Sequence, residues 1–208
     1  MELDIRVMEL MASKLCHDLV SPVSAINNGV ELVQEIGGDV VEEAMKLIGD
    51  SAGHASRRLR LFRIAYGRAG SEENLPVKDV RQIAEQYLAG GKVNLTWPDD
   101  QPIEEIALHK GALKVMLNMI ILSEESLAYG GTVSLHAMAK GCRFEVAGRN
   151  AQLAPAIEAA FNGTANIEDL TPRSIQAYAT GKFASHFGLK LTHAQPATDR
   201  LDLILTAA

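Results

Sequence analysis

Apolar residues recur at steps of three and four along the first third of the chain. Met8, Met11, Leu15, Leu19, Pro22, Ile26, Val30 and Val33 form one stripe. After "GGD" at 37–39 a second stripe runs through Ala44, Ile48, Ala52, Ala55, Leu59, Phe62, Tyr66 and Ala69. Such steps keep side chains on one face of an α-helix, and a short glycine-rich break lets the chain reverse. The pattern therefore predicts two long helices in an antiparallel hairpin. A lone hairpin has an apolar seam and little to bury it against. Two copies close a four-helix bundle, so a homodimer is expected.

The pattern changes after "GSEENLPV". A boundary is expected near 71–76, dividing the chain into 1–72 and 73–208. Beyond it, short alternating runs read as strands: "KVNLTW", "GTVSLHAM", "CRFEVAG", "LKLTHA" and "RLDLILTA". Longer helical runs fall at about 78–89, 109–128, 153–162 and 173–187. The expected fold class is α+β. A helical hairpin forming a dimeric four-helix bundle precedes a C-terminal α/β sandwich.

Composition narrows the function. The 208 residues carry 26 acidic and 20 basic side chains, a net charge of -6, with no long basic run. That argues against non-specific nucleic-acid binding. No apolar stretch reaches the length of a membrane span, and "MELDIRVMEL" has acids where a secretion signal has basic residues. The two cysteines, Cys16 and Cys142, are far apart, as expected for reduced thiols. A cytoplasmic protein with no nucleic-acid or membrane partner is expected.

Candidate chemistry centres on "KLCHDLVSPVSAINNGVE", residues 14–31. With Met8 at zero and about 100° per residue, His17 falls half a turn from the seam, facing water. Asp18 adjoins it. Pro22 removes a backbone N–H and clashes with the Asp18 carbonyl, so a kink is expected one turn after the histidine, costing about 3 kcal/mol in a plain helix. Such a cost is tolerated where distortion has a use. A neutral imidazole nitrogen is nucleophilic near pH 7, and suits phosphoryl transfer between carboxylates. Asp18 is a candidate orienting acid, and equally a solvated one. Counting back from the turn puts Arg57, Arg58 and Arg60 at the level of His17, where they would steer an acidic partner or simply form a solvated helix face. Asn27 and Asn28 lie about three turns below. The other histidines, His54, His109, His136, His186 and His193, lack the acid-and-proline context, and His136 and His193 fall in expected strands.

The segment His17-Asp18-Leu19-Val20-Ser21-Pro22 resembles the phosphoacceptor box of two-component histidine kinases. The second half resembles their ATP-binding domain with its nucleotide motifs lost. Residues 113–135 resemble the helix and strand around the asparagine box, but the position four after Asn118 is Leu122, and Ser123-Glu124-Glu125 do not restore it. Where an Asp-x-Gly-x-Gly motif would end a strand stand Ala147-Gly148-Arg149-Asn150-Ala151. "TPRSIQAYATGKFASHFG" reads as a helix capped at Thr171 with Pro172 in its first turn, without a glycine-rich phosphate loop; Gly181 is alone.

With "RLRLFRIAYG" and "VAGRNAQL", these stretches give a resemblance over nearly the whole chain to the ChpT-type histidine phosphotransferases of alphaproteobacteria. The resemblance implies a dimeric bundle with two pseudo-ATPase domains. It implies relay of phosphate from the receiver domain of a hybrid histidine kinase, through His17, to response regulators that are CtrA-like and CpdR-like. It carries over His17 alone as a functional residue. A docking surface at Ser21, Ser24, Asn28, Arg57, Arg58 and Arg60 rests on their position around His17. No cofactor is expected on this chain, the Mg2+ being supplied by the partner receiver domain. The alternatives are an ATP-dependent histidine kinase and a non-enzymatic dimeric adaptor.

Overall fold

The computed structural model describes residues 4–36, 38–68, 76–98 and 103–207. The expected 72/73 boundary, Gly37 and Ala69 lie outside them. Helix α1 (Ile5–Glu35) starts at Asp4, whose carboxylate accepts the Val7 N–H at 3.1 Å. It runs unbroken through Pro22, which is buried. Gly38, at φ +60, opens a 3-10 turn (Gly38–Val40) that leads into α2 (Val41–Ala65). That conformation disfavours a side chain bearing Cβ. The two helices approach closely at Gly29, where a Cβ would stand 2.6 Å from Ile48 Cγ1 and 3.2 Å from the Ala44 carbonyl oxygen.

The single apolar stripe expected on α1 divides in the structure. Met11 and Leu15 pack against the core of the chain, and Pro22 is buried, whereas Met8 and Val30 are exposed. On α2, Phe62 is 5% exposed and Leu59, one turn before it, is 53% exposed.

The remaining elements are α3 (Val77–Leu88), β1 (Val93–Thr96), α4 (Glu104–Ala107), α5 (Ala112–Ser126), β2 (Gly131–Met138), β3 (Gly141–Ala147), α6 (Pro155–Phe161), α7 (Ile175–His186), β4 (Leu189–Ala197) and β5 (Arg200–Ala207). All five expected strands form one sheet in the order β1-β2-β3-β5-β4. β1 and β2 are parallel, and the other neighbours are antiparallel. Alternation decides which face is inside. Register sets Leu135 opposite Phe144, and Phe144 opposite Leu203. These three are buried together with Val133, Cys142, Val146, Leu201 and Leu205 in one core with the helices. Burial holds the Cys142 thiol up at about 12. The other face carries charges, with Arg200 on Glu145 at 2.8 Å.

Two local expectations are corrected. α7 begins at Ile175, not 173, and Thr171 does not cap it. Thr171 and Pro172 enter a tight turn instead, in which the Thr171 N–H donates to Ser174 Oγ at 3.0 Å. The four-residue α4 was not expected, being too short to show a helical period. The core is continuous with the hairpin, since Leu61, Phe62, Ile64 and Ala65 of α2 belong to it. Among the described residues no helix is long and apolar enough to cross a membrane.

Candidate functional site

α1 presents His17 to solvent with its side chain 90% exposed. His17 stands roughly 120–160° around the helix from the packed Met11, Leu15, Pro22 and Gly29, which leaves it in solvent. Its Nδ1 stands 3.5 Å from Asp18 Oδ1. Asp18 itself turns the other way and is only 17% exposed. Because Pro22 has no N–H, the Asp18 carbonyl lacks the donor that normally closes that helical turn.

Asp18 is the near edge of a charged cluster that joins the hairpin to the α/β part of the chain. Lys14, one helical turn earlier and 7% exposed, donates to Asp18 Oδ2 at 3.2 Å and also to Glu125 of α5. Arg58 of α2 donates to Glu124 at 3.2 Å and to the Tyr87 hydroxyl at 3.1 Å, and its Nη1 stands 3.9 Å from Asp18 Oδ2. Its guanidinium lies 5.0 Å from the centre of the Tyr87 ring. Tyr87 donates in turn to Glu124. Arg58 Nε donates to His54 Nε2 at 3.1 Å. The His54 ring, partly buried and beside Arg58 and Arg57, has its pKa held below the usual 6.5. Burial pulls the Lys14 ammonium down, but Glu125 and Asp18 more than offset it, so its pKa lies above 10.5.

The expected docking residues divide. Ser21, Ser24, Asn27 and Asn28 are exposed along α1. Arg60 is exposed and reaches Gln86 at 3.1 Å. Arg58 is at the level of the histidine helix turn, as counted, but it points inward at 16% exposure. Its charge is engaged inside the chain, not offered to solvent. Arg57 is partly buried, and its Nε has no hydrogen-bond partner among the described residues. Lys14, Glu124, Glu125 and Tyr87 were not anticipated. The available signal was a Lys–Asp pair four residues apart beside the histidine, and two acids closing an otherwise apolar helix.

The positions matching nucleotide motifs are filled by packing. Leu122 is buried in the core. Asn118, wholly buried, donates to the carbonyls of Ala65 and Lys114 and accepts from Gln176 at 3.1 Å. Gln176 also accepts from Tyr66. Gly181 allows α7 to lie against α6, since a Cβ there would stand 2.5 Å from the Phe161 carbonyl oxygen. Arg149 stacks over Tyr129 at 4.8 Å.

The exposed imidazole of His17, beside an anchored acid, has the chemistry of a nucleophile. A solved bacterial phosphotransferase superposes with a TM-score of 0.76 at 30% identity, covering 99% of this chain and 98% of that one. The chain is 36% identical over 195 residues to the protein phosphotransferase ChpT of Brucella abortus (strain 2308), covering 91% of this chain and 90% of that protein. The model of the histidine phosphotransferase C-terminal domain matches residues 77–199. The chain belongs to the histidine phosphotransferase family, and its activity is that of a phosphorelay phosphotransferase.

Proposed function

We propose that His17 is the phosphoacceptor. It takes the phosphoryl group from the aspartyl phosphate of a hybrid kinase's receiver domain and passes it to the aspartate of response regulators. The observation that carries this reading is the 90% exposure of the His17 side chain beside a largely covered, ion-paired Asp18. The chemistry follows from the contact. If Nδ1–H points to Asp18 Oδ1, the Nε2 lone pair faces solvent. Nε2 attacks phosphorus in line, the P–O bond to the donor aspartate breaks, its carboxylate leaves, and a P–N bond forms. Nothing on the imidazole has to lose a proton. Transfer to the second aspartate is the same step reversed.

The reading includes a homodimer. Ile5, Met8, Val23 and Val30 lie within about 60° of one another around α1, and all are exposed. Met45 and Leu59 are exposed on α2. A second copy is the occupant that matches these residues, because two identical hairpins complete a four-helix bundle by a two-fold axis. The α/β part is read as a pseudo-ATPase domain without a nucleotide site, supported by Leu122 in the core and Gly181 in a helix contact. The chain is then cytoplasmic and binds no cofactor, and the receiver's own acidic pocket brings the Mg2+. CtrA-like and CpdR-like regulators are the acceptors by family likeness.

The test is transfer from a phosphorylated receiver domain to wild type, His17→Ala and His17→Gln. Both variants should keep the fold and take no label. Label on either variant would remove His17 from the relay. Saturable binding of Mg-ATP would instead favour the kinase alternative.

A further inference from the structure

We propose that Glu125 of α5, acting through Lys14, is a positioning residue for the phosphoacceptor. It holds Asp18 by one oxygen so that the other fixes which nitrogen of His17 is free. The inference rests on His17 as the phosphoacceptor.

The two oxygens of Asp18 have different tasks. Oδ2 receives Lys14 at 3.2 Å and faces Arg58 at 3.9 Å, whereas Oδ1 faces His17 Nδ1 at 3.5 Å. A carboxylate left free on a helix surface would rotate and hydrate. This one is held on its far side by two cations, each held in turn by α5: Lys14 by Glu125, and Arg58 by Glu124. Lys14 and Glu125 are 111 residues apart in sequence. The α/β part thus reaches the ring of His17 through two links, Glu125 to Lys14 and Lys14 to Asp18.

Stability alone is a poor reason for the arrangement. A buried ion network is often matched or exceeded in stability by apolar residues of similar volume. Close to the pair, Ile121, Leu122 and Leu127 are buried in the core, so an apolar contact was available there. What an apolar contact cannot do is orient a carboxylate. A histidine whose Nδ1–H is bonded keeps Nε2 as the lone pair, and the partner of one nitrogen sets the state of the other. The same logic gives a use to a domain with no nucleotide chemistry: its helix α5 supports the acid beside the histidine.

The experiment reads the imidazole directly. Full-length protein with 15N-labelled histidine is studied by long-range 1H–15N correlation at a pH where imidazole is neutral. His17→Gln identifies the His17 signals. Wild type should show the Nδ1–H tautomer. Glu125→Gln should shift His17 toward the Nε2–H tautomer, and initial transfer rates should fall about tenfold, the scale of losing an outer support. Lys14→Met with Glu125→Leu replaces the ion pair by an apolar contact. It should keep the thermal midpoint and still lose the tautomer preference. A merely structural network would lose neither once docking is kept. Lys14→Arg should preserve both. If wild type already carries the proton on Nε2, or if the tautomer is unchanged in both variants, the proposal is wrong. Because this readout needs no phosphoryl group, its failure is separable from a failure of His17 to accept label.

Discussion

Helices α1 and α5 are built on opposite plans. Of the 31 residues of α1 only Lys14, Pro22 and Gly29 are buried, whereas 11 of the 15 residues of α5 are. α5 sits inside the core, and its buried polar residues Lys114, Asn118 and Ser123 are satisfied by internal hydrogen bonds. α1 has one flank against α2 and the α/β part, an exposed apolar flank, and a wet flank bearing His17. A helix so thinly covered gains little from its own chain, and in the proposed dimer a second copy supplies the further contacts. The difference separates two kinds of apolar residue that look alike in sequence: those the chain buries itself and those left for another chain.

Phe62 and Leu59 sharpen that separation, because they are neighbours on one stripe. Phe62 packs within the core against Tyr66 and Tyr87, with ring centroids 5.5 Å and 6.4 Å away. Truncating a buried aromatic costs about 3–5 kcal/mol, and a charge there adds desolvation. Phe62→Glu should therefore unfold the chain, seen as loss of a cooperative melt. Leu59→Glu should leave the secondary structure intact and separate the dimer, seen as a monomer in sedimentation at micromolar concentration. If both variants behave alike, the distinction between self-buried and partner-buried residues fails.

Arg58 breaks the comparison from the polar side. Removing one member of a buried ion cluster leaves its partners uncompensated and costs about 3–5 kcal/mol. Arg58→Ala should lower the unfolding free energy by that scale, read as a lower denaturant midpoint, with Glu124 and Tyr87 left facing each other. Arg60→Ala, on the exposed side of the same helix, should change the midpoint very little. Equal effects would mean that Arg58 is as solvated as Arg60.

Much of this division could not be read from the chain. The period of two in "GTVSLHAM", "CRFEVAG" and "RLDLILTA" survives because each strand buries one face against helices. The exposure of His17 likewise survives, although Met8, the reference for its phase, is itself exposed. The split of the α1 stripe does not. Met8 and Met11 are equally apolar, and only the placement of the α/β part decides that Met11 packs and Met8 stays out. Ion pairing is less legible still. Nothing local tells Arg58 from Arg60; Arg58 turns inward because Tyr87 and Glu124 arrive from elements 29 and 66 residues further on.

The same cluster gives stability a pH dependence. The fold lowers the pKa of His54, through burial first and then Arg58 and Arg57. The unfolded chain therefore binds more protons, and stability rises with pH in that window. The His54 contribution is present above 6.5 and is lost as pH falls from there through the folded value. His54→Gln should flatten the decline in melting temperature between about pH 7.5 and pH 5.5. An unchanged slope would show that His54 titrates freely.

The smallest expected effect belongs to Arg57, and it tests the wet side of the comparison. Arg57 lies next to the inward-turned Arg58, and its Nε is buried without a hydrogen-bond partner among the described residues. Its cation is close enough to His54 to depress that ring's pKa, yet among the described residues no carboxylate engages it as Glu124 engages Arg58. In the proposed docking surface it is the cation that would meet an incoming acidic face. Charges of this kind act on encounter, through long-range steering, more than on the strength of the final complex. Arg57→Glu should slow the second-order transfer rate from a phosphorylated receiver by about fivefold to tenfold at low salt, a change of one to 1.4 kcal/mol in the encounter barrier. The difference from wild type should shrink as ionic strength rises and the screening length falls from about 30 Å at 0.01 M to about 8 Å at 0.15 M. Single-turnover rates within the docked complex should barely change. A rate loss that persists undiminished at high salt would mean that Arg57 supports the hairpin itself, and the steering surface would have to be sought elsewhere around His17.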